Sequence, residues 1–462
     1  MRIFLILILC QFLHSCVFQN GSFLSDIFNP GYRLDDSTES NGAGGPITCA
    51  STYGTTIQRV SISTAGVEAN AGSSILHFSA DPSGRIISFI SSANNLVAGD
   101  TNGADDAFIR DLQNNTTTRV STDSVGTEGN SDSSATAASE DGRYIAFYSA
   151  ADNLLAGDTN GQDDLFIKDT QLGTVIRASL SSAGVETDNH AENPGISPDG
   201  RYVVYQTQAT NLVAGDTNGT WDIFLRDTTL SITTRVSVIS GGGEGNGASI
   251  KPVVSSDGRY VAFESDATNL VAGDINGVKD VFLHDTQTNT TVRVSVSTAG
   301  VEANALAQEV DMSADARYIF FESNATNLVA GDTNGATDIF MRDTLLNITT
   351  RVSLTSAGAE ANGSSRAPDV TSDGRYLVFT SDATNLVAGD TNGVGDIFFK
   401  DLNTGIVTRA SVDSGGVEAN AVSNSPSISS NNCYVFFYSS ATNLVAGDTN
   451  GVDDVFGVYM GP

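Results

Sequence analysis

Positive charge is scarce in this chain: 23 Lys+Arg stand against 54 Asp+Glu in 462 residues, for a net charge of −31 at pH 7. So acidic a surface repels nucleic acid and anionic lipid head groups and attracts cations, so no nucleic-acid partner is expected. Histidine, cysteine and methionine occur four times each, proline nine times and tryptophan once. Catalysis needs a unique nucleophile, base or metal triad gathered in one place. His14, His77, His190 and His284 are spread along the chain and offer no such gathering. Helical periodicity is missing too, whereas Val, Ile, Thr, Ser and Gly are abundant, which favours strands and tight turns.

The N-terminus reads "MRIFLILILCQFLHSC". Arg2 gives a positive start, and Ile3 to Leu13 form an apolar stretch too short to span a bilayer as a permanent helix. Residues 1–15 are therefore expected to be a secretion signal. Leu13-His14-Ser15-Cys16 resembles the lipobox of bacterial lipoproteins, with His14 as a departure. The resemblance implies a lipidated Cys16, membrane contact through that anchor only, and a place on the bacterial outer membrane or cell surface. Ordinary signal cleavage near Ser15 and a secreted product is the alternative. Residues 16–56 are polar and rich in Gly and Ser, as a tether would be.

What the chain has in quantity is repetition. "LVAGDTNGADDAF" (96–108) returns in close copies whose first aspartates, Asp100, Asp158, Asp216, Asp274, Asp332, Asp390 and Asp448, are each 58 residues apart. Seven units of one size are read as one closed or stacked array. The unit at 233–285 holds four strand candidates, "TTRVSV", "KPVVS", "RYVAFES" and "DVFLHD", separated by turn signals. Four short strands in each of seven units predict an all-β fold, a seven-bladed β-propeller over 57–462.

"ISPDGRYVVY" (196–205), "DIFLRD" (222–227) and "TTRVS" (233–237) resemble the WD-repeat-like blade of TolB-type propellers, over about residues 57–460. The resemblance implies that the strand before S-P-D-G is innermost and the R-V-S strand outermost. It also implies binding of a protein partner at the envelope. Ala316 and Asn432 replace the turn glycine in two units. The chain opens on an R-V-S strand at Arg59 and ends on "DDVFGVYM", a third strand lacking a fourth. Residues 57–62 are therefore expected to complete the last blade and remove an exposed edge. Cys49 lies just before that strand and Cys433 opens the second strand of the same blade, so either a disulfide between them or two free thiols fits.

The acidic loop has the form D-x-N-G-x-x-D. Its candidate ligands are Asp100, Asn102 and Asp106; Asp158, Asn160 and Asp164; Asp216, Asn218 and Asp222; and Asp274, Asn276 and Asp280. The remaining three copies supply Asp332, Asn334 and Asp338; Asp390, Asn392 and Asp396; and Asp448, Asn450 and Asp454. Oxygens spaced this way around a glycine suit Ca²⁺, which takes six to eight oxygen ligands. The spacing is similar to the later part of the calcium loops of integrin α-chain propellers, with Ala98 where that family has its first aspartate. Asn-Gly is equally a favoured turn dipeptide, and flanking Asp can bond backbone N–H groups with no metal. A second acidic motif, G-x-E-x-N, recurs at Glu68, Glu128, Glu186, Glu244, Glu302, Glu360 and Glu418. In four-stranded antiparallel blades it emerges on the same face as the loops, crowding 21 of the 54 acidic residues there. Uncompensated, the crowding would raise carboxylate pKa values, and divalent cations would relieve it.

Two departures from the repeat are candidate ligand contacts. "GVETDNHAENPG" (184–195) gathers Glu186, Asp188, His190 and Glu192 in sequence, as a converging site or as solvated surface. Trp221 replaces a small or acidic residue in the third loop, where an aromatic grips a sugar or peptide or packs as a loop tip. His284 fills a slot held by Arg226, Arg342 and Lys400 elsewhere and is expected on the surface; His77, on an innermost strand, is expected in packing. The expected function is a noncatalytic, monomeric binding scaffold of the cell envelope. A lectin, or a carbohydrate-active enzyme using the central channel, is the alternative. The enzyme would need unique acidic pairs on innermost strands, yet "SSATAAS", "KPVVS" and "APDVT" share none.

Overall fold

The computed structural model describes residues 57–75, 80 and 83–461. The signal, Cys16, the tether, Cys49 and His77 lie outside the described residues. All strands fall into seven four-stranded antiparallel sheets arranged as a ring, and no helix occurs among the described residues. The protein is a seven-bladed β-propeller.

Six blades run in chain order from the channel outward. The third blade, for example, consists of Ala191–Ile196, Tyr202–Thr207, Asp222–Asp227 and Ile232–Arg235. The seventh contains Ser423–Ile428, Tyr434–Ser439 and Asp454–Tyr459, and its outermost strand is Gln58–Arg59 from the other end of the chain. Gln58 pairs with Gly457 and Arg59 with Phe456, so the expected closure is made. Cys433 is buried and disulfide-bonded; Cys49, its expected partner, is outside the described residues.

Second and third strands are almost wholly buried because both of their faces are covered by neighbouring blades. Each inter-blade seam is a separate core. One joins Val253, Val281 and Leu283 to Met312, Ile319 and Phe321; another joins Phe89 and Phe108 of the first blade to Tyr434, Phe436 and Val455 of the last. The second seals the ring. Buried cations add polar ties across the seams. Arg226 Nη1 donates to Ser181 O of the preceding blade at 3.2 Å, and Lys168 Nζ to Asp123 O at 2.7 Å. His284 fills the same slot without a charge and is not on the surface as expected: it is 2% exposed, and Nδ1 lies 2.9 Å from Thr291 Oγ1. Burial holds its pKa down at about 4, so it sits there neutral.

Every residue of the S-x-D-G-R-Y turn has a physical task. Ser255 Oγ donates to Asp257 Oδ1 at 2.7 Å and accepts from Tyr260 N at 2.9 Å. Arg259 reaches Asp285 of the third strand at 2.7 Å, with its guanidinium 4.7 Å from the Tyr260 ring centre. Gly258 has φ +70°, and Tyr202 of the preceding blade packs so closely that an added Cβ would fall 2.4 Å from its ring. Ala316 and Asn432 take the same left-handed conformation, at φ 55° and 57°.

Gly258→Ala combines a positive φ with an overlap on Tyr202 and is expected to destabilise the protein by about 1–3 kcal/mol. Denaturant unfolding should show a lower midpoint at an unchanged slope; an unaltered midpoint would contradict the packing described.

Candidate functional site

The acidic loops and the Glu-bearing connectors do share one face, and they meet on an arginine. In the third blade Arg235, the last residue of the outermost strand, lies 3.1 Å from Asp216, 3.3 Å from Asp222 and 3.1 Å from Glu244. The same four-residue cluster forms around Arg119, Arg177, Arg293, Arg351 and Arg409. The seventh unites the chain ends: Arg59 is 2.5 Å from Glu68, 3.1 Å from Asp448 and 3.4 Å from Asp454. The crowding expected from sequence is therefore compensated in part by the protein itself.

The local sequence accounts for the geometry. Asp222 is buried at the start of the third strand, and its Oδ1 accepts from Ser237 Oγ at 2.5 Å. That serine is the S of R-V-S; the strand ends at Arg235, earlier than its sequence suggests, freeing Ser237 to turn inward. Asn218 closes the loop: its Oδ1 accepts from Thr220 N at 3.1 Å and its Nδ2 donates to Asp222 Oδ2 at 2.8 Å. Asn218 thus serves the turn, and the equivalent Asn102, Asn160, Asn276, Asn334, Asn392 and Asn450 bind their own aspartates likewise. Glu244 accepts from Thr217 N at 2.6 Å and Asn218 N at 2.9 Å, fastening the connector to the loop.

One cluster therefore holds carboxylates of opposite tendency. Burial, and behind it the charges of Asp222 and Glu244, push Asp216 up to about 6 despite Arg235; Asp158 is raised to about 6 in the same way. Glu244 is held at about 2, first by the backbone N–H of Thr217, and Glu360 at about 2, first by the hydroxyl of Thr333. Only two clusters among the described residues, Asp100/Asp106/Glu128 and Asp216/Asp222/Glu244, bring three carboxylate oxygens within 4.8 Å of one another, close enough to share a metal ion. Their charge and oxygen chemistry fit a hard cation. The asparagine oxygens are engaged in turns, and the arginine already occupies the shared space.

The acidic group around His190 does not converge. Glu186 belongs to Arg177 at 2.5 Å, Asp188 accepts from Thr210 N at 2.8 Å, and His190 Nδ1 is 2.9 Å from Asp163 Oδ2. Trp221 is half-buried, and its carbonyl accepts from Ser249 N, the first residue of the next innermost strand.

A second polar assembly, missed in the sequence, lines the central channel. The channel holds a cavity of 530 Å³ walled by innermost-strand residues including Lys251, Glu309, Arg366 and Ser425, with Glu322 and Thr380 from second strands. Six of the innermost strands carry a bulge there. Ala135, Asn193, Lys251, Glu309, Ala367 and Ser425, spaced by 58, have φ between 42° and 51°. Deeper in the wall, Asp311 and Asp369 lie on neighbouring innermost strands, and Asp311 Oδ2 accepts from Val370 N at 2.7 Å. Burial, then the neighbouring Asp369, drive Asp311 well above the usual carboxylate range. An acidic pair on innermost strands does exist, contrary to expectation. The signal was available as charges at repeat positions where other blades have Ile90, Tyr148, Val253 or Ser427.

No protein-family model matches the chain, and no curated protein matches it. Solved structures do. Oligogalacturonate lyase from Vibrio parahaemolyticus matches at 12% identity over 87% of this chain and 92% of its own, with a TM-score of 0.53. The β-propeller domain of the Trilobed protease from Pyrococcus furiosus matches at 10% identity over 85% and 96%, with a TM-score of 0.50. TolB from Acinetobacter baumannii matches at 15% identity over 66% and 59%, with a TM-score of 0.38. The propeller fold is what the first two have in common with this chain.

Stability should have a maximum in mild acid. Asp158 and Asp216, raised from 3.8 to about 6, penalise the fold when ionised, so their contribution improves as pH falls from about 6 toward 3.8. Glu244 and Glu360, lowered from 4.5 to about 2, lose their contribution as pH falls from 4.5 toward 2. The melting temperature is expected to rise from neutral pH to about 5 and to drop below about 4. A monotonic decline from pH 7 downward contradicts the assignment.

Proposed function

We propose that the chain is a noncatalytic binding scaffold of the bacterial envelope, held there through its N-terminal segment, with a protein as partner. The observation that carries this reading is the division between a constant frame and a variable ring. The seven arginine clusters repeat with little change, whereas the residue just before the third strand varies: it is Asp105, Asp163 and Asp453 in three blades and Trp221, Lys279, Thr337 and Gly395 in the other four. A rigid ring that presents different side chains at equivalent places suits recognition of one partner. Fold alone carries no function, so the lyase and protease neighbours do not argue for an enzyme here. A photo-crosslinking residue at Trp221 should capture an envelope protein in intact cells, whereas one at exposed Leu172 on a strand-three to strand-four hairpin should not. Equal capture from both positions, or glycan binding in place of protein capture, counts against the scaffold.

Calcium has a narrower role in this proposal than the sequence suggests. Three ionised carboxylates and one arginine leave two negative charges per cluster, which one Ca²⁺ would cancel. It must share the oxygens with the guanidinium, so binding is weak and confined to the Asp100/Asp106/Glu128 and Asp216/Asp222/Glu244 clusters. Millimolar Ca²⁺, the range of weak extracellular sites, is expected to raise the melting temperature relative to chelator. Asp100→Asn combined with Asp216→Asn should abolish the increment. A melt indifferent to Ca²⁺ leaves arginine as the resident counter-ion.

A further inference from the structure

The glutamates of the channel wall pose a physical question. In three blades the N–H of the bulge residue points at a side chain of the preceding blade. Gln206 Oε1 accepts from Lys251 N at 2.9 Å, Glu264 Oε1 from Glu309 N at 2.7 Å, and Glu322 Oε2 from Ala367 N at 3.0 Å. A neutral amide suffices in the first case. Glutamate in the next two makes the same bond at the extra cost of desolvating a charge, since Glu264 is 1% and Glu322 3% exposed. The bulge does not require that charge.

Most of the charged residues of the wall fall in one sector. Blades four to six contribute Lys251, Glu264, Glu309, Glu322 and Arg366, while the corresponding sites of blades two and three are Ser134, Ala135, Tyr148, Glu192, Asn193 and Gln206, with Glu192 the one charge among them. Lys251 Nζ contacts Glu309 Oε1, and Lys279 Nζ is 3.2 Å from Glu264 Oε2. Glu322 Oε1 accepts only from the neutral Gln308 Nε2, at 2.8 Å. Thr380, 4% exposed and in the wall of the same cavity, has a hydroxyl with no hydrogen-bond partner among the described residues; so has Thr136, 3% exposed, on the innermost strand of the second blade. Among the described residues, the channel glutamates do not bring three acidic ligand atoms within 4.8 Å of one another, as two of the loop clusters do.

We propose that this cavity binds a small polar molecule through a primary ammonium group, held between Glu309 and Glu322. A cavity of 530 Å³ admits a ligand of disaccharide or dipeptide size. Lys251 is the internal stand-in for that ammonium. Its side chain is 42% exposed and carried on a flexible stem, so it can swing aside when the ligand enters. Two sources of the ammonium are distinguishable: a free amine such as a diamine or amino sugar, and the N-terminus of a short peptide.

The test is calorimetric titration of the full chain with 1,4-diaminobutane, glucosamine and the dipeptide Gly-Gly, with 1,4-butanediol as the uncharged control. At least one amine should bind with one-to-one stoichiometry while the diol does not. Glu322→Gln keeps the acceptor for Ala367 N, as Gln206 does for Lys251, and should leave the melting temperature within about a degree or two while weakening the amine at least about tenfold. Lys251→Met should have the opposite sign and tighten binding. Asp266→Asn, which removes one exposed charge outside the cavity wall, should change nothing and so corrects for attraction to the acidic surface. Absence of one-to-one binding by all three amines, or equal loss in Glu322→Gln and Asp266→Asn, overturns the proposal. Neither result bears on the scaffold reading, which is tested at Trp221, outside the cavity wall.

Discussion

An arginine at the end of each outermost strand governs this molecule. Arg235 and its counterparts draw together the loop before the third strand, the first residue of that strand, and the connector to the next blade. Breaking such a contact would leave buried carboxylates without a counter-charge, which typically costs several kcal/mol. The serine two residues later adds a short hydrogen bond to the same buried aspartate, so each outermost strand is clasped twice. Without the clasp, a strand of two to four residues would be marginal. The acidic face is in this sense an inventory of structural anchors with charge left over.

Against that uniform frame, asymmetry is informative. Duplication would have given every blade the same channel wall, and blades two and three keep it mostly neutral. The sector formed by blades four to six has instead accumulated Glu264, Glu309, Glu322, Asp311 and Asp369, four of them nearly or wholly buried. Burial of like charges that a neutral residue could replace is a cost to the fold, and such costs collect where a protein does something.

Much of the architecture could be read from the sequence because each repeat states it again. The number of blades, the closing strand and the shared face of the two acidic motifs all follow from a fixed period and an even strand count. The arginine escaped because Arg235 reads as part of a β-branched strand; only the register that sets it opposite Phe224 brings it to Asp222, thirteen residues earlier in sequence. Asn102 and its equivalents were legible as turn formers and equally as metal ligands, and only side-chain direction separates the two. His284 looked superficial because Arg and Lys fill its slot elsewhere, yet those cations are themselves buried to reach carbonyls across the seam. The channel charges were hidden by the consensus, which averages away the residues that depart from it.

Closure by the first strand also fixes the order in which the protein can be finished. Arg59 pairs with Phe456, so the last blade stays one strand short until nearly the whole chain has emerged. Bringing ends this remote together carries an entropic cost of about 5 kcal/mol, growing only slowly with length. Six blades can assemble locally beforehand, each from consecutive strands, and the seventh then acts as a latch. A chain stalled or clipped before Asp454 would present two raw sheet edges at once, and unpaired edges of this kind invite aggregation.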